Sequence, residues 1–193
     1  MRRGFRVGLQ LMALALAVAS CDNKVDPADT TPPVFDGLTV EFRRVSDNLL
    51  EGPVDARNGY VVDNVQRDRR IVVKVSATDP ESGVRNIRLA IGEYEFECRT
   101  PGSEFAEYKH GTFTPLPDAE RTGTTVSGTP SLRNATFTFD PYEGNALRLV
   151  CPATDETTPL IVTLKVAATN GNGLKATSPE ISITYLGRPP GQP

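Results

Sequence analysis

Apolar and polar residues alternate with a period of two along most of this chain. Leu38, Val40 and Phe42 alternate with Thr39, Glu41 and Arg43, and Ile71, Val73, Val75 and Ala77 with Lys74, Ser76 and Thr78. The same rhythm runs through Ile87–Ile91, Phe137–Phe139, Val162–Ala168 and Ile181–Tyr185. Shorter candidates lie at Gly59–Asn64 and Ala146–Cys151. Successive side chains of a strand point to opposite faces, so each run predicts a half-buried strand. DPESG at Asp79–Gly83, DPYEGN at Asp140–Asn145 and NGNG at Asn170–Gly173 separate the runs and predict turns. No long stretch carries the 3.6-residue period of an amphipathic helix. The fold class expected is all-β, an antiparallel β-sandwich.

Two segments repeat each other. Lys74-Val75-Ser76-Ala77-Thr78-Asp79 is matched by Lys165-Val166-Ala167-Ala168-Thr169-Asn170, each a strand end entering a glycine-containing turn. ATDPESGV around that first turn, and DTTPP at Asp29–Pro33, resemble the B–C turn and the opening of bacterial immunoglobulin-like and cadherin-like modules. The resemblance implies an immunoglobulin-like sandwich in which these two strands are B and F, central in facing sheets. Residues 34–186 form the expected single domain, about half as long again as the roughly 100 residues usual for that fold. The surplus falls in Leu49–Asn58 and Thr100–Pro130, so the loops are enlarged. Ser103–Gly111 (SEFAEYKHG) reads as a short helix capped by Ser103, with a strand as the competing reading.

The first 20 residues have another character. Arg2, Arg3 and Arg6 precede an apolar run from Leu9 to Ala19 that is too short to span a bilayer. The run ends in Val18-Ala19-Ser20-Cys21, which resembles the lipobox of bacterial lipoprotein precursors. That resemblance implies cleavage after residue 20, diacylglycerol on the Cys21 thiol, and a membrane partner in the bacterial cell envelope. Asp22 resembles the inner-membrane retention signal of enteric bacteria, a rule that does not carry between phyla; inner and outer membrane stay open. Residues 21–33 are expected to be a disordered tether and 187–193 a frayed tail. The leader carries three arginines and no acid, so the formal charge of the remainder moves from −3 to −6. Such a surface carries no basic footprint for nucleic acid.

With Cys21 given to lipid, Cys98 and Cys151 remain as an even pair in an oxidising compartment. Each shares the parity of an apolar strand face. A disulfide between them is expected, worth about 4 kcal/mol in the chain-entropy account; two separate buried thiols are the alternative.

Candidate chemistry is sparse. The only histidine is His110, and no GxSxG, HExxH, GxGxxG or P-loop pattern occurs. Glu93, Glu95 and Glu97 form an acidic stripe, read as a solvated face. Asp79 and Glu81 resemble the turn carboxylates that bind Ca²⁺ in cadherin-like modules, but such sites need six to eight oxygens. Asp79 as an Asx cap of its own turn is preferred, and no cofactor is expected. Phe105, Tyr108, His110 and Phe113 gather in the long insert, which either contacts a partner or covers a sheet edge. The reading is a membrane-anchored envelope lipoprotein with a non-enzymatic binding or structural role, its partner an envelope protein or glycan. The rival reading is a hydrolase with a carboxylate site.

Overall fold

The computed structural model describes residues 25–99, 106–112, 119–126, 128–141 and 159–187, with backbone alone at 91, 96–99, 106–109 and 112. Among these residues there is no helix, and the fold is an all-β sandwich. The strands are β1 (Val34–Arg44), β2 (Leu50–Asp55), β3 (Tyr60–Val65), β4 (Arg69–Thr78), β5 (Val84–Arg99), β6 (Ala106–Thr112) and β7 (Glu120–Thr122). They continue as β8 (Thr125–Val126), β9 (Thr129–Pro130), β10 (Asn134–Phe139), β11 (Leu160–Asn170), β12 (Lys175–Thr177) and β13 (Ile181–Tyr185).

One sheet has the order β10-β4-β1-β2. The facing sheet has the order β3-β13-β11-β5-β6, with β12 also on β11 and β7 also on β5. All neighbours are antiparallel except β13 and β3. The two repeated segments therefore lie at the ends of β4 and β11, each an interior strand of its own sheet. Pro53 cannot donate to a ladder and sits on β2, at a sheet edge where that costs least. The two-residue strands β8 and β9 close a small hairpin of their own.

Alternation decides what is buried. Leu38 and Val40 of β1, Ile71, Val73 and Val75 of β4, Val162, Leu164 and Val166 of β11 and Ile181 and Ile183 of β13 form one apolar cluster between the sheets. Each such side chain contributes about 1.5–3 kcal/mol by leaving water. Tyr185 is fully buried, and its hydroxyl donates to the Arg69 carbonyl oxygen at 2.9 Å, tying β13 to β4. Polar side chains on the other parity of β10, Asn134, Thr136 and Thr138, are exposed.

Two expectations need correction. The helix over Ser103–Gly111 is not formed, because residues 106–112 are β6, paired from Ala106 opposite Arg99 to Thr112 opposite Glu93. β5 runs well past the Ile87–Ile91 alternation and presents an edge whose hydrogen bonds a strand satisfies and a single helical turn does not. The Leu49–Asn58 surplus is likewise not a loop, since most of it is β2. The stretch 25–33, read with the tether, carries a buried Asp29 and a buried Pro33; the next section shows what holds it.

Candidate functional site

Two polar regions stand out, one toward each end of the sandwich. The first is built on the turns that follow β4 and β11. Asp79 accepts the Ser82 amide on Oδ1 at 2.8 Å, the Asx cap expected of it. Gly83 closes the turn at φ +69, and a Cβ there would meet the Pro130 carbonyl oxygen at 2.1 Å, so no other residue fits. Ser82 is fully buried, and its hydroxyl bonds Asp29 Oδ2.

Asn170, also fully buried, completes the cluster. Its Nδ2 lies 2.9 Å from Asp29 Oδ2, 3.1 Å from Asp79 Oδ2 and 3.0 Å from the Thr31 carbonyl oxygen. Its Oδ1 accepts the Leu174 amide at 2.8 Å. Asp29 Oδ1 accepts both the amide and the hydroxyl of Thr31 at 2.8 Å. The Ser82 hydroxyl, and after it the Thr31 amide, hold the Asp29 carboxyl below the ordinary carboxylate range against the opposing effect of burial. Asn172 Nδ2 reaches the Asp26 carbonyl oxygen at 2.6 Å. The cluster is thus a clasp that fixes residues 26–31 onto both turns.

Glu81 is exposed on the same turn and joins none of these bonds. Among the described residues no three His, Cys, Asp or Glu side chains gather as a metal cluster would need. Beside the clasp, a cavity of about 530 Å³ lies between the Ala77–Val84 turn and Val126–Arg133.

The second region is a recess, also of about 530 Å³, lined by Glu93, Tyr94, Glu95, His110, Gly111, Ile161 and Thr163. Sheet register assembles it. Glu95 of β5 stands between His110 of β6 and Ile161 of β11, and Glu93 between Thr112 and Thr163. Gly111 has no side chain where one would stand 2.7 Å from the Tyr94 hydroxyl, so the ring lies over bare backbone. His110 is exposed.

Of the four insert residues expected to act together, two fall in β6 and so share one face of that strand. His110 lines the recess, Tyr108 sits in β6 opposite Glu97, and Phe105 and Phe113 lie outside the described residues. Cys98 stands in β5 opposite Glu107, whereas Cys21 and Cys151 lie outside the described residues. Beyond β6, two further described parts of the insert, Ala119 and β7, lie along the edge of β5. β7 pairs with Asn86–Arg88, the Leu89 amide donates to the Ala119 carbonyl oxygen at 2.7 Å, and the Arg121 guanidinium lies 5.7 Å from the centre of the Phe137 ring. Edge cover is therefore one role that the insert fills.

The sequence reading missed the clasp and the pairing of His110 with the acidic stripe. A signal for the clasp existed, since Asn170 occupies in the second repeat the place that Asp79 occupies in the first. No protein-family model matches this chain, and no curated protein matches it.

Proposed function

We propose that this chain is a lipid-anchored protein of the bacterial envelope, with a non-enzymatic binding or structural role carried by its sandwich. The leader and Val18-Ala19-Ser20-Cys21 support the anchor. The observation that carries the binding role is the recess at Glu93, Glu95 and His110, which exists because β6 extends the sheet beyond β5. It offers carboxylate acceptors, an imidazole, the Tyr94 ring and the Ile161 side chain. A few polar groups beside an aromatic ring suit a protein or glycan segment.

Two measurements test this. Wild-type protein partitions into the detergent phase and Cys21→Ala does not; an aqueous wild type overturns the anchor. Capture of a partner from native membranes is lost when His110→Ala and Glu95→Gln are combined, with melting unchanged. Undiminished capture by that variant removes the recess from the binding role.

The two carboxylates in one recess also support the hydrolase reading. Turnover of a glycoside panel that Glu93→Gln or Glu95→Gln abolishes would establish it in place of simple binding.

A further inference from the structure

We infer that the end of the sandwich bearing the Asp79–Gly83 and Asn170–Gly173 turns faces the membrane at close range, and that the His110 recess is carried on the side away from the lipid. This rests on the lipid anchor proposed above. The clasp supplies the geometry. Asp29 is held by Ser82 and Asn170, and the Asp26 carbonyl oxygen by Asn172. Val25 is fixed as well, since its methyl groups fill the space that a side chain on Gly171 would take. The chain is therefore fastened to these turns from Val25 onward, and only residues 22–24 separate it from Cys21. Whatever their arrangement, four residue steps reach at most about 14 Å. A lipid-bound Cys21 thus holds these turns within about that distance of the headgroups.

Strand direction then orients everything else. Val34 pairs with Thr78 at the clasped end and Arg44 with Arg69 at the other. At about 3.3 Å per residue, β1 places the Val45–Asn48 tip roughly 30 Å from the clasp. Along β5 the recess at Glu93–Glu95 begins nine residues from Val84, again roughly 30 Å. The mature chain's net negative charge gives anionic lipid no general hold on the domain, so the short covalent connection sets the orientation.

The test uses the full lipidated chain in vesicles whose headgroups carry a nitroxide quencher. A fluorescent amino acid replaces Glu81, near the clasp, or Val45, at the far tip; both positions are exposed. Flotation with the vesicles is measured first, alongside Cys21→Ala. The expected result is severalfold stronger quenching at position 81 than at 45. A second variant inserts a dozen Gly and Ser residues after Lys24, leaving the clasp and the fold intact, and should bring the two signals together. Equal quenching in the uninserted protein that floats overturns the orientation while leaving the anchor standing. Failure to float, or flotation that Cys21→Ala does not abolish, overturns the anchor and the orientation with it.

Discussion

The two ends of the sandwich are both polar, but they are held by opposite physics. At the clasped end the polar groups are buried and mutually satisfied: Ser82 and Asn170 have no exposure and Asp29 has 8%. At the other end the bonds are ion pairs near the surface. Arg44 bridges Asp47 and Glu51, with side chains between 32% and 50% exposed. Arg69 joins Glu51 and Asp68 there, and of that group only its own side chain, at 10%, is withdrawn from water. A buried network holds because every member has its partner, so removing one orphans several. A solvated ion pair gains little, because water offers nearly the same interaction.

The largest expected effect tests whether the far end has a covalent counterpart to the clasp. Cys98 lies toward that end of β5, two residues beyond the Phe96 pairing with Leu160. Mass spectrometry of unreduced protein should find Cys98 joined to Cys151. Replacing both by Ala should cost about 2–5 kcal/mol, read from urea unfolding. Free alkylation of both thiols without reductant refutes the bridge.

Next comes the clasp. Asn170→Ala strips a donor from Asp29, Asp79 and the Thr31 carbonyl and an acceptor from the Leu174 amide. Asn170 is itself fully buried, and its loss leaves a hole beside the buried Asp29 and removes bonds from three part-buried groups, so a loss of about 2–4 kcal/mol is expected. A loss below about 1 kcal/mol would show that water replaces the amide and that the comparison between ends is wrong.

The far end should respond in two grades. Arg69→Ala removes a mostly buried stem along with bonds to Glu51 at 2.8 and 2.9 Å, and should cost about 1–2 kcal/mol. Arg44→Ala, with exposed partners, should stay within about 0.5 kcal/mol. Equal effects would mean that burial does not separate them.

The contrast also bears on what could be read from the chain. Alternation located β1, β4, β10, β11 and β13, because a half-buried strand repeats every two residues and nothing else in the sequence competes with it. β6 was ambiguous: Phe105 and Tyr108 suit a helix face, and only the open edge of β5 decides for a strand. The turn at Asp79 was legible because its Ser82 partner is three residues away. Asp29 was not, because in DPADTTPP it looks like any polar linker residue, while Ser82 and Asn170 are 53 and 141 residues distant. The recess was half legible. His110 and the Glu93–Glu97 stripe each stand out in the sequence, but their meeting is a matter of register between two strands.

That difference in sequence distance gives the smallest and most specific prediction. Asp29 and Asp55 both sit below the ordinary carboxylate range, Asp55 at about 2 because the Arg57 side chain hydrogen-bonds it. A carboxyl whose folded pKa is depressed contributes stability above its unfolded value of about 3.9, and that contribution is lost as pH falls through the folded value. The contribution depends on the unfolded chain lacking the partner. Arg57 is two residues from Asp55, and both side chains are about half exposed, so the pair persists in part after unfolding. Asp29 loses Ser82 and Asn170 altogether. Stability should therefore fall as pH drops below about 4, and Asp29→Asn should flatten that fall more than Asp55→Asn does. The readout is the urea midpoint measured from pH 6 down to pH 2.5, set beside NMR titration of both carboxyls. Equal flattening by the two variants would place the acid-sensitive contact on the surface pair rather than in the clasp.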